Sequence, residues 1–116
     1  LVSCCWFEQL MDDWQKAAVQ HAESEAPKES CGLLVMLGGA EHYWPCKNLS
    51  DEDDVFILDP MSYAAAEDTG KVLAVVHSHP GAPALPSEND RKACTQYGLP
   101  WHIYGMADQS WLQIDP

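Results

Sequence analysis

The stretch Val72-Leu73-Ala74-Val75-Val76-His77-Ser78-His79-Pro80 runs into a loop rich in Gly, Pro and Ala, then into Ser87-Glu88-Asn89-Asp90. An apolar run without alternation predicts a central strand buried on both faces. Ser87 opens a predicted helix that carries Ala93, Cys94 and Tyr97 on one side. Gly98 caps that helix and Pro100 lies just beyond it. A buried strand followed by a helix points to a layered α/β arrangement, to which the rest of the chain adds strands.

Upstream, Cys31-Gly-Leu-Leu-Val-Met-Leu37 and Glu41 to Cys46 flank Gly38-Gly39, which predicts a hairpin. Cys31 and Cys46 then face each other, and two buried reduced thiols are expected rather than a bridge. Leu10, Met11, Trp14, Ala17, Ala18, His21 and Ala22 recur at helical spacing, and Pro27 ends that helix near Ala26. Val55-Phe-Ile-Leu58 reads as a strand, and Asp59-Pro60 as the N-cap and first position of a helix through Glu67 that stops near Gly70. Trp101 to Tyr104 and Ser110 to Ile114 read as two closing strands. The expected fold class is α/β (α+β), a mixed, curved β-sheet flanked by helices. It forms one domain over residues 1–116.

Eighteen acidic against six basic side chains give a formal net charge of -12. No basic patch offsets it, so neither nucleic acid nor an anionic membrane is an expected partner. No run of about 18 apolar residues predicts a membrane span. Leu1-Val2-Ser3-Cys4 resembles a lipoprotein cleavage box without the upstream segments of a signal peptide. Five cysteines without a Cys-x-x-Cys pair argue against a zinc ribbon and a disulfide scaffold. Asp51-Glu52-Asp53-Asp54 reads as a solvated loop.

Alternate residues of a strand share a face, so His77 and His79 aim two imidazoles together. Asp90, on the first turn of the next helix, is placed to add a carboxylate. Two nitrogens and one carboxylate leave an open fourth position, as in a catalytic rather than a structural zinc site. A competing reading makes Ser87-x-x-Asp90 a helix capping box. Each half of the pattern alone is weak; together they favour one metal ion. His21, His42 and His102 have no ligand spacing to one another.

His77-x-His79, seven residues, Ser87, two residues, Asp90 resembles the signature of the JAMM/MPN metallopeptidases. Glu29-Ser-Cys31-Gly32-Leu-Leu resembles their first strand entry. Pro45-Cys-Lys-Asn48, the Asp59-Pro60 helix and Gly98-Leu-Pro-Trp101 look most like the N-terminal domain of tail assembly proteins of lambda-like phages, where a papain-like peptidase domain commonly follows. The chain would then be one module of a longer protein.

The resemblance implies a JAMM/cytidine-deaminase-like fold and one Zn2+ per chain, held by His77, His79 and Asp90. It implies Glu29 as general base and acid, with Glu23 and Glu25 as the neighbouring alternatives, and Ser87 as donor to the tetrahedral intermediate. The implied function is a zinc-dependent peptidase or isopeptidase in phage tail assembly or cell-wall penetration. Its substrate would be a protein or peptide, such as a tail protein or a peptidoglycan cross-link, and its place the host cytoplasm or the virion. Two alternatives are a bacterial JAMM peptidase that trims sulfur-carrier proteins, and a non-catalytic scaffold of the same fold. A nucleoside deaminase would need a Pro-Cys-x-x-Cys segment, which the chain lacks.

Overall fold

The computed structural model describes residues 11–116. The cleavage-box resemblance at Leu1–Cys4 and the helical position of Leu10 lie outside them.

Helix α1 spans Asp13–Glu25. Gln15 reaches back to accept from the Asp12 N–H at 2.9 Å, which fixes the helix start. Trp14, Ala18 and Ala22 are its buried stripe, whereas Ala17 is exposed rather than on the apolar face. Strands β1 (Cys31–Leu37) and β2 (Ala40–Cys46) form the expected hairpin. Gly38 and Gly39 both have positive φ, at 57° and 78°, as a two-residue turn between twisted strands demands. Cys31 pairs with Cys46 in the ladder, and both are free thiols. Burial pushes the Cys31 thiol up and, with Asp59 nearby, holds Cys46 at about 12, so both stay protonated and inert.

Helix α2 spans Pro60–Thr69, with the Asp59 carboxylate accepting from the Met61 N–H at 3.1 Å. Strand β3 (Lys71–His79) is followed by α3 (Glu88–Tyr97), β4 (Trp101–Gly105) and β5 (Ser110–Ile114). The sheet order is β2-β1-β3-β4-β5, with only β3–β4 parallel. β3 thus lies between two strands, as its apolar run demands.

The two faces of the sheet carry different cores. Leu33, Val35, Val75, Trp101 and Ile103 pack with Ala66 of α2 and Cys94 of α3. Leu34, Ala74 and Val76 point the other way, onto Trp14 and Ala18 of α1. His102 falls on the α1 face, edge-on to Trp14 with ring centroids 5.0 Å apart, so it is a packing residue and lies away from His77.

Val55–Leu58 is not a strand. It makes a single bridge, Leu58 to Asn48, because the Asn48 side chain takes the Ile57 N–H that a partner strand would otherwise bind. Ile57 is left 55% exposed.

Gly105 ends β4 where a Cβ would fall on the backbone of Pro83 and Ala84. Neither can yield without moving the loop after β3. Gly105→Ala is therefore expected to cost about 1–3 kcal/mol through overpacking. A thermal melt should show Tm lower by at least ~4 °C; an unchanged Tm would contradict the close approach.

Candidate metal centre

Three separate elements deliver the candidate residues to one place. His77 and His79 end β3 on the face that packs against α2 and α3, Glu29 lies just ahead of β1, and Asp90 sits in the first turn of α3. β1 and β3 are ladder partners, with Cys31 opposite His77, and this pairing brings Glu29 to the histidines. Glu23 is exposed and the Glu25 side chain reaches His21 at 3.4 Å, so neither competes for the position.

The Asp90 carboxylate lies between the imidazoles. Its Oδ1 is 3.4 Å from His77 Nε2 and its Oδ2 is 3.1 Å from His79 Nε2. Glu29 Oε1 approaches the other nitrogen of His77, Nδ1, at 3.5 Å. Among the described residues the three whose donor atoms all lie within 4.8 Å of one another are Glu29, His77 and His79, whereas Asp90 approaches the two imidazoles through different oxygens. His77, Glu29 and Asp90 are all buried, and His79 is partly buried. The Asp90 hydrogen bond, against burial, raises the His79 pKa above the ordinary histidine value. Burial pushes the Asp90 carboxyl up, but the His79 hydrogen bond, His77 and the Ser87 N–H outweigh it and hold it low.

These residues suit a zinc ion. Both ring nitrogens of His77 are buried without a hydrogen-bond partner among the described residues. Leaving two such groups unsatisfied is costly, and a metal on one of them relieves it. His79 Nδ1 donates to the Pro83 carbonyl at 3.2 Å, so Nε2, which donates to Asp90 Oδ2 at 3.1 Å here, is the nitrogen that would give up its proton to ligate a metal. Imidazole nitrogen and carboxylate oxygen are the donor types zinc takes.

The capping-box and ligand readings of Ser87-x-x-Asp90 are both compatible with one geometry. The Ser87 N–H donates to Asp90 Oδ2 at 2.9 Å, and Ser87 Oγ accepts from the Asp90 N–H at 3.0 Å. The cap therefore aims the carboxylate. Ser87 Oγ is an acceptor here, so its own O–H remains free to donate into the cleft that it borders.

Other residues hold the centre and carry no signal in sequence spacing. The buried Ser78 Oγ accepts from the Ser30 N–H at 2.8 Å and from Ser30 Oγ at 3.0 Å, clamping the Glu29 segment to β3. Asn48 donates to the Glu29 carbonyl at 2.9 Å and accepts from Ser50 N and Ile57 N at 2.9 and 3.0 Å. Phe56, placed by that loop, stacks on His77 at 4.7 Å and shields it from water, with Trp101 at 5.1 Å on another side. Asn48→Ala strands three backbone groups at once. It is expected to lower stability by about 1–3 kcal/mol in a urea melt, and no change would mean water replaces the amide fully.

Comparison with known proteins identifies the family of the chain. The family model described as prokaryotic homologs of the JAB domain matches residues 11–113. The chain belongs to this family. The JAB domain is 46% identical over 101 residues to tail tip assembly protein K of Escherichia phage N15, an alignment covering 86% of this chain and 42% of that protein. It is 35% identical over 91 residues to a Thermus thermophilus protein named as a probable TtuB-protein conjugate cleaving protease, covering 73% of this chain and 61% of that one. The chain thus spans less than two thirds of either relative's length. A solution structure of a Desulfitobacterium hafniense protein superposes with a TM-score of 0.73 at 28% identity, covering 89% of this chain and 78% of that one. A crystal structure from Archaeoglobus fulgidus described as a JAB1/MPN domain protein superposes with a TM-score of 0.57 at 24% identity, covering 88% of this chain and 83% of that one, so the mixed sheet flanked by helices is a JAB/MPN-type fold.

Proposed function

We propose that this JAB domain is a zinc-dependent peptidase or isopeptidase acting in phage tail assembly or cell-wall penetration. The observation that carries the reading is the doubly unpartnered His77 ring, set among His79, Asp90 and Glu29. His77, His79 and Asp90 would hold one zinc ion per chain. Zinc would supply a Lewis acid that activates water and polarises the amide carbonyl. The Glu29 carboxylate takes the water proton and delivers it to the leaving amine. The Ser87 O–H donates to the oxyanion as it develops. Phe56 and Trp101 keep bulk water from His77.

Similarity to the phage N15 protein supports a role in tail assembly, with a protein or peptide substrate and phage tail proteins as partners. Similarity to the Thermus protease supports the same chemistry on a sulfur-carrier conjugate as the second reading. A non-catalytic scaffold is disfavoured because all the expected side chains are present and gathered. Among the described residues no helix is long and apolar enough to cross a membrane. The host cytoplasm or the virion is the proposed setting.

The test is metal analysis joined to hydrolysis. Purified protein should hold about one zinc per chain. It should cleave a tail protein or a cross-linked peptidoglycan peptide, read by mass spectrometry, and stop when a chelator removes the metal. Stoichiometric zinc with no cleavage of tail proteins, cross-linked peptides or sulfur-carrier conjugates would return the domain to a scaffold.

A further inference from the structure

The cleft over the metal centre encloses about 1240 Å³. That exceeds the usual range for a small-molecule site, about 300–1,000 Å³, and suits several residues of a polypeptide. Its walls are mostly apolar. Ile57 and Leu85, 55% and 71% exposed, border it, and among the described residues nothing covers them. The lining is also charged with one sign only. Glu29, Asp53, Asp54 and Asp90 border the cleft, and among the described residues no lysine or arginine does. Lys28, which reaches the residue just ahead of the acidic loop, is tied to the Ser50 carbonyl at 3.0 Å.

Glu29 and Asp90 are occupied with the histidines, whereas Asp53 and Asp54 are exposed and have no salt-bridge partner among the described residues. A low-dielectric groove lined by one sign of charge focuses its field on an incoming ligand. We propose that this cleft selects an extended polypeptide segment bearing a lysine or arginine, whose cation Asp53 and Asp54 receive while its apolar neighbours rest on Phe56, Ile57 and Leu85. The assignment deepens the peptidase reading, on which it rests: it names the class of segment presented for hydrolysis. It also gives Asp51–Asp54 a purpose beyond solvation, since this loop leads directly into the Phe56 wall.

The test uses fluorescein-labelled nonapeptides of Ala, Gly and Leu in which one Lys, or one Glu, is walked through the positions. Binding is read by fluorescence polarisation to the full zinc-loaded chain carrying Glu29→Gln, so that bound probe persists. The best Lys probe is expected to bind about tenfold more tightly than its Glu counterpart, the size two exposed ion pairs allow. In Asp53→Asn/Asp54→Asn that preference should fall to about twofold or less. Glu23→Gln/Glu41→Gln removes the same charge from exposed positions off the cleft and should leave it intact. Absence of binding, equal affinity for Lys and Glu probes, or equal losses in both double variants would overturn the proposal. A Lys preference in a chain that also leaves tail proteins, cross-linked peptides and sulfur-carrier conjugates uncut would keep the groove assignment and sink the peptidase reading. Hydrolysis indifferent to the Lys-to-Glu exchange would do the reverse.

Discussion

His77→Ala is expected to abolish stoichiometric zinc binding. The side chain is 1% exposed, ends a central strand, and is within 3.5 Å of both carboxylates. Removing an outer-sphere partner of a metal site commonly costs 10–100-fold in affinity, so deletion of a direct ligand should exceed about 100-fold. Metal analysis after gel filtration should then give far less than one zinc per chain. Thermal melts separate this from misfolding. In the wild-type chain, added zinc binds the folded state alone and should raise Tm. In His77→Ala the melt should stay cooperative and the zinc-dependent rise should vanish. The variant also leaves a cavity between Phe56 and Trp101, which pack against the ring, so its metal-free Tm should drop as well. Full zinc content in this variant would remove His77 from the ligand set.

Much of the fold is legible before any coordinates, and for local reasons. The α1 stripe, the Gly38-Gly39 turn, the Asp59-Pro60 helix start and the Gly98 stop each rest on residues within a few positions of one another. The His77, His79 and Asp90 grouping is legible for a similar reason: strand alternation and one helix turn fix where those side chains go. The misread strand at Val55–Leu58 shows where local pattern fails. Its β-branched and aromatic residues favour an extended chain, but a strand needs a neighbour with a continuous row of free backbone groups. Here the pairing stops at two backbone bonds, Leu49 N–H to the Ile57 carbonyl and Asp59 N–H to the Lys47 carbonyl, and the Asn48 side chain takes the Ile57 N–H.

The parts of the site that were not legible are all long-range. Ser30 and Ser78 are 48 residues apart and Glu29 and Asn48 are 19 apart, and nothing in either spacing marks a contact. Phe56 over His77 likewise follows from the loop's path rather than from its composition. Preferring Glu29 to Glu23 and Glu25 from sequence rests on its place just before the first strand and on the family resemblance, because all three sit at a helix end or just after it. Burial separates them: Glu29 is 7% exposed because the β1–β3 ladder and the Ser30–Ser78 clamp draw it inward.

Glu29→Gln is expected to keep zinc and lose turnover. Glutamine has the same shape, so the Asn48 bond to the residue's carbonyl and the Ser30–Ser78 clamp are untouched. Only the proton-accepting oxygen is lost. Removing a positioned general base lowers rate about 10²–10⁴-fold. With zinc content near one per chain and Tm unchanged, such a fall in kcat would assign Glu29 to proton transfer. The geometry makes the experiment decisive about a second point. Glu29 lies close enough to His77 and His79 to be a ligand itself, whereas Asp90 is the carboxylate that meets both Nε2 atoms. If Glu29 were the third ligand, Glu29→Gln would lose zinc while Asp90→Asn kept it. If Asp90 is the ligand, the pattern inverts: Asp90→Asn loses the metal, and Glu29→Gln retains it in a protein that binds substrate and does not turn it over.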